Sequence, residues 1–123
     1  MNRDSEKYLE RALCDGMKEL GGVAYKFVSP GHRGVPDRMC VLPGGQVVFV
    51  ELKSYGKKPT PLQEIEINRL KDLGFEVLVI DSTEKLGVLP SHLRQKYLGQ
   101  WVTVSGKELV EQVARGENKS HIP

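Results

Sequence analysis

Apolar positions spaced three and four apart open the chain. Leu9, Ala12, Leu13, Gly16, Met17 and Leu20 share one face and predict an amphipathic helix over residues 4–20, with Gly21-Gly22 as its stop. Residues 23–28 then alternate, Tyr25 and Phe27 on one side against Ala24, Lys26 and Val28 on the other, which predicts a short strand. The stretch 29–36, Ser-Pro-Gly-His-Arg-Gly-Val-Pro, is dense in chain-turning residues and reads as an exposed loop.

Two more strands are predicted over residues 38–42 and 46–53. Only Pro43-Gly44-Gly45 separates them, too short for anything but an antiparallel hairpin. Pairing Leu42 with Gln46 brings Asp37 opposite Glu51, although a bulge at the glycines would shift that register by one. A basic loop over residues 54–59 leads to Thr60-Pro61, which opens a second helix with Leu62, Ile65, the Arg69 stem, Leu70 and Leu73 expected on its buried face and Gly74 as its end. Residues 75–80 are almost continuously apolar, as in a strand buried on both faces and joined to its predecessor by a parallel crossover. Beyond it, residues 82–98 read as helical pieces broken by Gly87 and Pro90. Residues 101–104 suit a short strand, and Ser105-Gly106-Lys107-Glu108 is a capping box for a last helix.

A chain of 123 residues with 39% apolar and 28% charged side chains suits one α/β domain and excludes a two-domain cofactor enzyme. No apolar run approaches the ~20 residues of a membrane span, and no leader pattern precedes the first helix, so the expected setting is the cytoplasm, that of a bacterial host if the source is a phage. Cys14 and Cys40 are too few for a disulfide scaffold or a four-cysteine zinc site, and read as small apolar residues. The net charge is only +2, yet residues 23–60 carry six cations, Lys26, Arg33, Arg38, Lys53, Lys57 and Lys58, against two anions. Those two are Asp37 and Glu51.

Glu51-Leu52-Lys53 closes an apolar strand, and its period of two sends the carboxylate and the ammonium to one face. Alone, that is a surface ion pair worth ~0–1 kcal/mol. Asp37 changes the picture, because two carboxylates facing each other across a hairpin, ~5 Å apart at Cβ, repel unless a proton or cation lies between them. Hard oxygen donors, including the Leu52 carbonyl, suit Mg²⁺ or Mn²⁺. A metal so held can grip a phosphate oxygen and activate water, with Lys53 orienting that water or stabilising the phosphorane. Glu6 and Glu10 lie four apart on the flank of the first helix, and either can complete the metal shell. Gln63, early in the second helix, is placed to contact the metal's water or the substrate.

Gly34-Val35-Pro36-Asp37, then Glu51-Leu52-Lys53, then Pro61-Leu62-Gln63, resembles the PD-(D/E)xK nuclease superfamily and within it the virus-type replication-repair (VRR-NUC) nuclease family. The match covers residues 6–82 and includes Leu20-Gly21-Gly22, the stretch from Lys26 to Gly31, and the Pro43-Gly44-Gly45 turn; residues 83–123 form a C-terminal extension to a single domain. The resemblance implies a restriction-endonuclease-like core, a central mixed β-sheet flanked by helices. It implies Asp37 and Glu51 as metal ligands, Lys53 as the catalytic lysine, Glu10, one turn from Glu6, as the amino-terminal helix acid, and Gln63 as the helix glutamine. Compact members of the family look like homodimers that cut four-way (Holliday) DNA junctions, and the extension, with Trp101, Val102 and Val104, is then a candidate dimer surface or a cap on the core.

DNA contact is expected from Lys26, His32, Arg33, Arg38, Lys57 and Lys58, which flank the carboxylates and can meet phosphates without reading bases. No zinc finger or basic recognition helix is visible, which favours recognition of branch geometry over base sequence. No membrane and no organic cofactor is expected. Two other readings remain: a restriction-like or flap-directed nuclease of the same fold, and a non-catalytic DNA-binding module.

Overall fold

Ser5, in extended backbone, caps the first helix by accepting the Tyr8 N–H on its hydroxyl at 3.3 Å. In this computed structural model, which describes residues 5–98, helix α1 spans Glu6–Glu19. It ends in a paired carbonyl cap: Gly22 N–H reaches Met17 O at 2.8 Å and Gly21 N–H reaches Lys18 O at 3.0 Å. Gly21 sits at φ +80°, a conformation that costs a residue with a Cβ about 1–2 kcal/mol.

Strands β1 (Val23–Lys26), β2 (Arg38–Leu42) and β3 (Gln46–Leu52) form an antiparallel meander, and β4 (Glu76–Ile80) joins β3 in parallel, giving the order β1-β2-β3-β4. The hairpin is antiparallel and its register is the unshifted one, Leu42 opposite Gln46 and Arg38 opposite Val50. Continued by one residue, it brings Asp37 to Glu51. Helix α2 (Pro61–Asp72) makes the crossover to β4, opened by a capping box in which Thr60 and Gln63 each hold the other's backbone N–H.

The sheet has two unequal faces. Leu9, Leu13 and Met17 of α1 pack with Cys40, Val48, Val50 and Leu52 of the strands and with Leu89 and Leu93 into the larger core. On the other face α2 covers Phe49 and Val77 with Ile67, and Phe27 stacks obliquely on Phe49 with ring centroids 5.5 Å apart. Strand alternation therefore sends Val48, Val50 and Leu52 toward α1, and Phe49 and Glu51 toward α2.

Two expectations change. Most of the apolar stripe assigned to α2 points outward: Leu62, Ile65 and Leu73 are exposed and Leu70 alone of its apolar members packs inward, while Glu66 and Ile67 are buried. The face that docks runs through Gln63, Glu66, Ile67 and Leu70, because its polar members find partners across the fold. β4 packs on both faces, as its apolar run predicts, with Val77 and Val79 in the cluster under α2 and Leu78 and Ile80 in the larger core. Gly87 and Pro90 do not break the third helix; α3 runs through both, Thr83–Leu93, and passes into a five-residue π-helical turn, Arg94–Leu98.

The expected strand at 101–104 and the helix opened at Ser105 lie outside the described residues. Among the described residues no helix is long and apolar enough to cross a membrane. Cys14 and Cys40, unrelated in sequence, lie close in space; burial first and the Cys14 thiol second push the Cys40 thiol up to about 12, so it stays protonated.

Candidate active site

The last turns of the hairpin bring Asp37 and Glu51 together by reciprocal bonds. Glu51 Oε1 accepts the Asp37 backbone N–H at 3.2 Å, and Asp37 Oδ2 accepts the Leu52 N–H at 2.9 Å. Each carboxylate is thus anchored on the other's strand. Glu51 is 1% exposed, and its second oxygen takes Gln63 Nε2 at 2.8 Å and Lys53 Nζ at 3.2 Å. Period-two alternation, an α2 crossover and the capping box at Thr60 are what bring two side chains and a backbone N–H to one oxygen pair.

The charge in this cluster does not balance. Two carboxylates face one ammonium, and burial first, then the charge of Asp37, push the Glu51 carboxyl above its usual range, against the opposing pull of Lys53. The excess negative charge, the all-oxygen donor set and the anchoring of both acids fit a hard divalent cation better than any softer metal. Among the described residues no group of three His, Cys, Asp or Glu side chains is assembled for a metal. Two carboxylates suffice for Mg²⁺, which keeps several waters and binds through one or two acids together with substrate phosphate.

Glu10 is not brought to this pair. Its carboxylate meets the Arg38 guanidinium, which also donates to Ala24 O at 3.1 Å. Arg38 accordingly turns to the α1 side and is engaged within the protein rather than presented to solvent, its side chain 12% exposed. Lys26, Arg33, Lys57 and Lys58 are exposed, as DNA contacts require. Glu6 is also exposed on α1, unlike the buried Leu9 beside it.

Beside the acids, the loop of residues 29–36 and the first turn of α2 frame a cleft of about 660 Å³, lined by Phe27, Ser29, His32, Arg33, Leu62 and Gln63. Gly34 fixes the closeness of that approach: at φ +91°, a Cβ there would fall 2.6 Å from Leu62 O. A second tie was not foreseen from sequence. His32 Nε2 lies 2.7 Å from Oε1 of Glu66, a carboxylate only 7% exposed. The available signal was Gln63-x-x-Glu66, two polar residues on one helix face.

No profile of a known protein family matches the chain. The chain is 50% identical over 86 residues to "Putative nuclease p44" of Acyrthosiphon pisum secondary endosymbiont phage 1, an alignment covering 70% of this chain and 92% of that protein. A solved structure described as a VRR_NUC domain superposes with a TM-score of 0.65 at 30% identity, covering 75% of this chain and 96% of the other.

Proposed function

This chain belongs to the VRR-NUC nuclease family, and from that premise we propose that it is a Mg²⁺- or Mn²⁺-dependent endonuclease that hydrolyses phosphodiester bonds in branched DNA. The observation that carries the reading is the reciprocal anchoring of Asp37 and Glu51 beside Lys53. Two carboxylates this close, one of them buried, beside a single ammonium repel unless positive charge is brought to them, and at a cleft edge that points to chemistry rather than to stability.

Asp37 and Glu51 would hold the cation, with the Leu52 carbonyl as a further oxygen donor. When bound, a divalent ion there supplies charge neutralisation at the phosphate and activation of water. Lys53, with its ammonium 3.2 Å from Glu51 Oε2, orients the attacking water and offsets the negative charge that grows on the phosphoryl oxygens. Gln63 keeps Glu51 from rotating away, and spends its other amide atom on the Thr60 N–H. Arg33, Lys57 and Lys58, with Lys26, meet the backbone phosphates on either side.

The substrate in this reading is a four-way junction, cut by a homodimer. One small domain carries one such site, and resolving a two-fold junction takes two related cuts. For a phage-borne nuclease the place of action is the host cytoplasm. Glu10, held by Arg38, serves this mechanism as an approaching third acid only if that ion pair opens. The test is cleavage of a four-way junction, a flap and linear duplex of equal length, with Mg²⁺, Mn²⁺ or chelator, read beside solution mass. Preference for the junction by a dimer supports the reading; preference for linear duplex removes it.

A further inference from the structure

We propose that Glu66, buried in α2, is a positioning residue for DNA binding: through His32 it sets the wall of the cleft that receives the backbone phosphate next to the scissile one. The inference rests on the nuclease reading and extends it to a residue outside the acid pair.

Glu66 is 7% exposed in a helix whose apolar residues Leu62 and Ile65 lie in solvent, so its burial is bought by a specific partner. That partner is His32, thirty-four positions away in sequence, at 2.7 Å, with Arg69 Nε farther off at 3.7 Å on the same oxygen. In the imidazolium form, whose charge the Glu66 carboxylate balances, Nε2–H donates to Glu66 and Nδ1–H is left as the ring's second donor, the one that can meet a phosphate oxygen. The His32 side chain is 45% exposed and lines the cleft beside Ser29, Arg33 and Gln63. Gln63 also holds Glu51, so the cleft adjoins the acid pair.

A loop that carries a phosphate-binding group must be held, or its ordering entropy is charged against binding. Two contacts hold this one to α2: the close backbone approach at Gly34 and Leu62, and the Glu66 to His32 bond. The first is steric and indifferent to the ring. The second fixes which nitrogen of His32 faces the DNA. Glu66 therefore acts on substrate affinity, whereas Gln63 acts on the acid pair itself.

The test uses the full chain with a fluorescent four-way junction, measuring kcat and KM with Mg²⁺ and, separately, binding by anisotropy with Ca²⁺ in place of Mg²⁺. Glu66→Leu and His32→Ala are expected each to raise KM and weaken binding about 10-fold, as the loss of one charge-assisted contact would, with kcat within about threefold. Glu66→Gln, which keeps an oxygen for His32, recovers most of the loss. The double variant is no worse than either single one. Unchanged KM and binding in a folded Glu66→Leu protein overturn the proposal, as do multiplying effects in the double variant or a Glu66→Gln protein as impaired as Glu66→Leu. If Glu66→Leu does not fold, His32→Ala in the exposed loop decides by the same measure. If the unaltered protein cuts no DNA, the nuclease reading falls, and the anisotropy arm still decides the role of Glu66.

Discussion

Gln63 Nε2 donates to Glu51 Oε2 at 2.8 Å while Gln63 Oε1 accepts the Thr60 N–H at 2.9 Å. One amide thus caps α2 and holds a buried carboxylate of the neighbouring strand, so the start of the helix and the acid pair cannot move independently.

Gln63→Glu keeps an oxygen for the cap and sets a third carboxylate against Glu51. Like charges at that distance force one group to take up a proton or turn away. Cleavage at neutral pH should fall about 10- to 100-fold, the range for groups that fix a metal ligand, with the helix content of the circular dichroism spectrum retained. Unaltered cleavage would mean that the Gln63 bond is incidental.

Divalent cation should stabilise the protein. Because burial and Asp37 raise the Glu51 carboxyl, Glu51 favours the folded state most below the usual carboxylate range near 4.5 and loses that contribution as pH rises through the raised value. A cation relieves the penalty on the high-pH side. Near pH 7.5, saturating Mg²⁺ or Mn²⁺ should raise Tm by about 5 °C or more, and by much less in Asp37→Asn. Scanning calorimetry with and without chelator reads both.

Glu76 at the start of β4 shows the opposite sign. Burial raises its carboxyl, but hydrogen bonds from Tyr97, His92 and Lys96 outweigh that and hold it below its ordinary value. Its contribution to stability is present above the unfolded value near 4.5 and disappears as pH falls through the lower folded one. Glu76→Ala should cost about 2 kcal/mol at pH 7, by urea titration, and much less near pH 3. An equal loss at both pH values would deny the carboxylate this role in anchoring the π-helical turn.

Gly34→Ala meets both a positive φ and a carbonyl 2.6 Å from the new methyl. The loop must lift from α2, at a cost of about 1–2 kcal/mol from the backbone conformation alone. Lower stability in chemical denaturation, together with weaker DNA binding, is the expected pair of results. A variant of normal stability would show that the approach of Gly34 to Leu62 can relax freely.

The hairpin and its acids were legible in sequence because both rest on local rules: a turn too short for anything but antiparallel pairing, and a period of two that sorts Glu51 from Leu52. The parallel β4 followed from the length of the crossover. The buried face of α2 was not legible, since the buried Glu66 finds its partner His32 in a distant loop, and apolar periodicity gave Leu62, Ile65 and Leu73 a burial they do not have. The ion pair of Glu10 with Arg38 depends on how α1 lies across the sheet, which no spacing encodes, so each residue's charge alone suggests a separate role in the site. Pro90 looked like a break because its missing N–H counts against a helix, yet α3 continues through it into the π-helical turn.

Cleavage of a labelled four-way junction with Mg²⁺, Mn²⁺ and chelator, in the unaltered protein and in Asp37→Ala and Lys53→Ala, tests most directly whether the acid pair and its lysine form one metal-dependent centre. Metal-dependent cutting is expected in the unaltered protein, falling by about 10²-fold or more in each folded variant and to background with chelator. Cutting that survives chelation, or that persists undiminished in a folded Asp37→Ala or Lys53→Ala protein, would contradict the account.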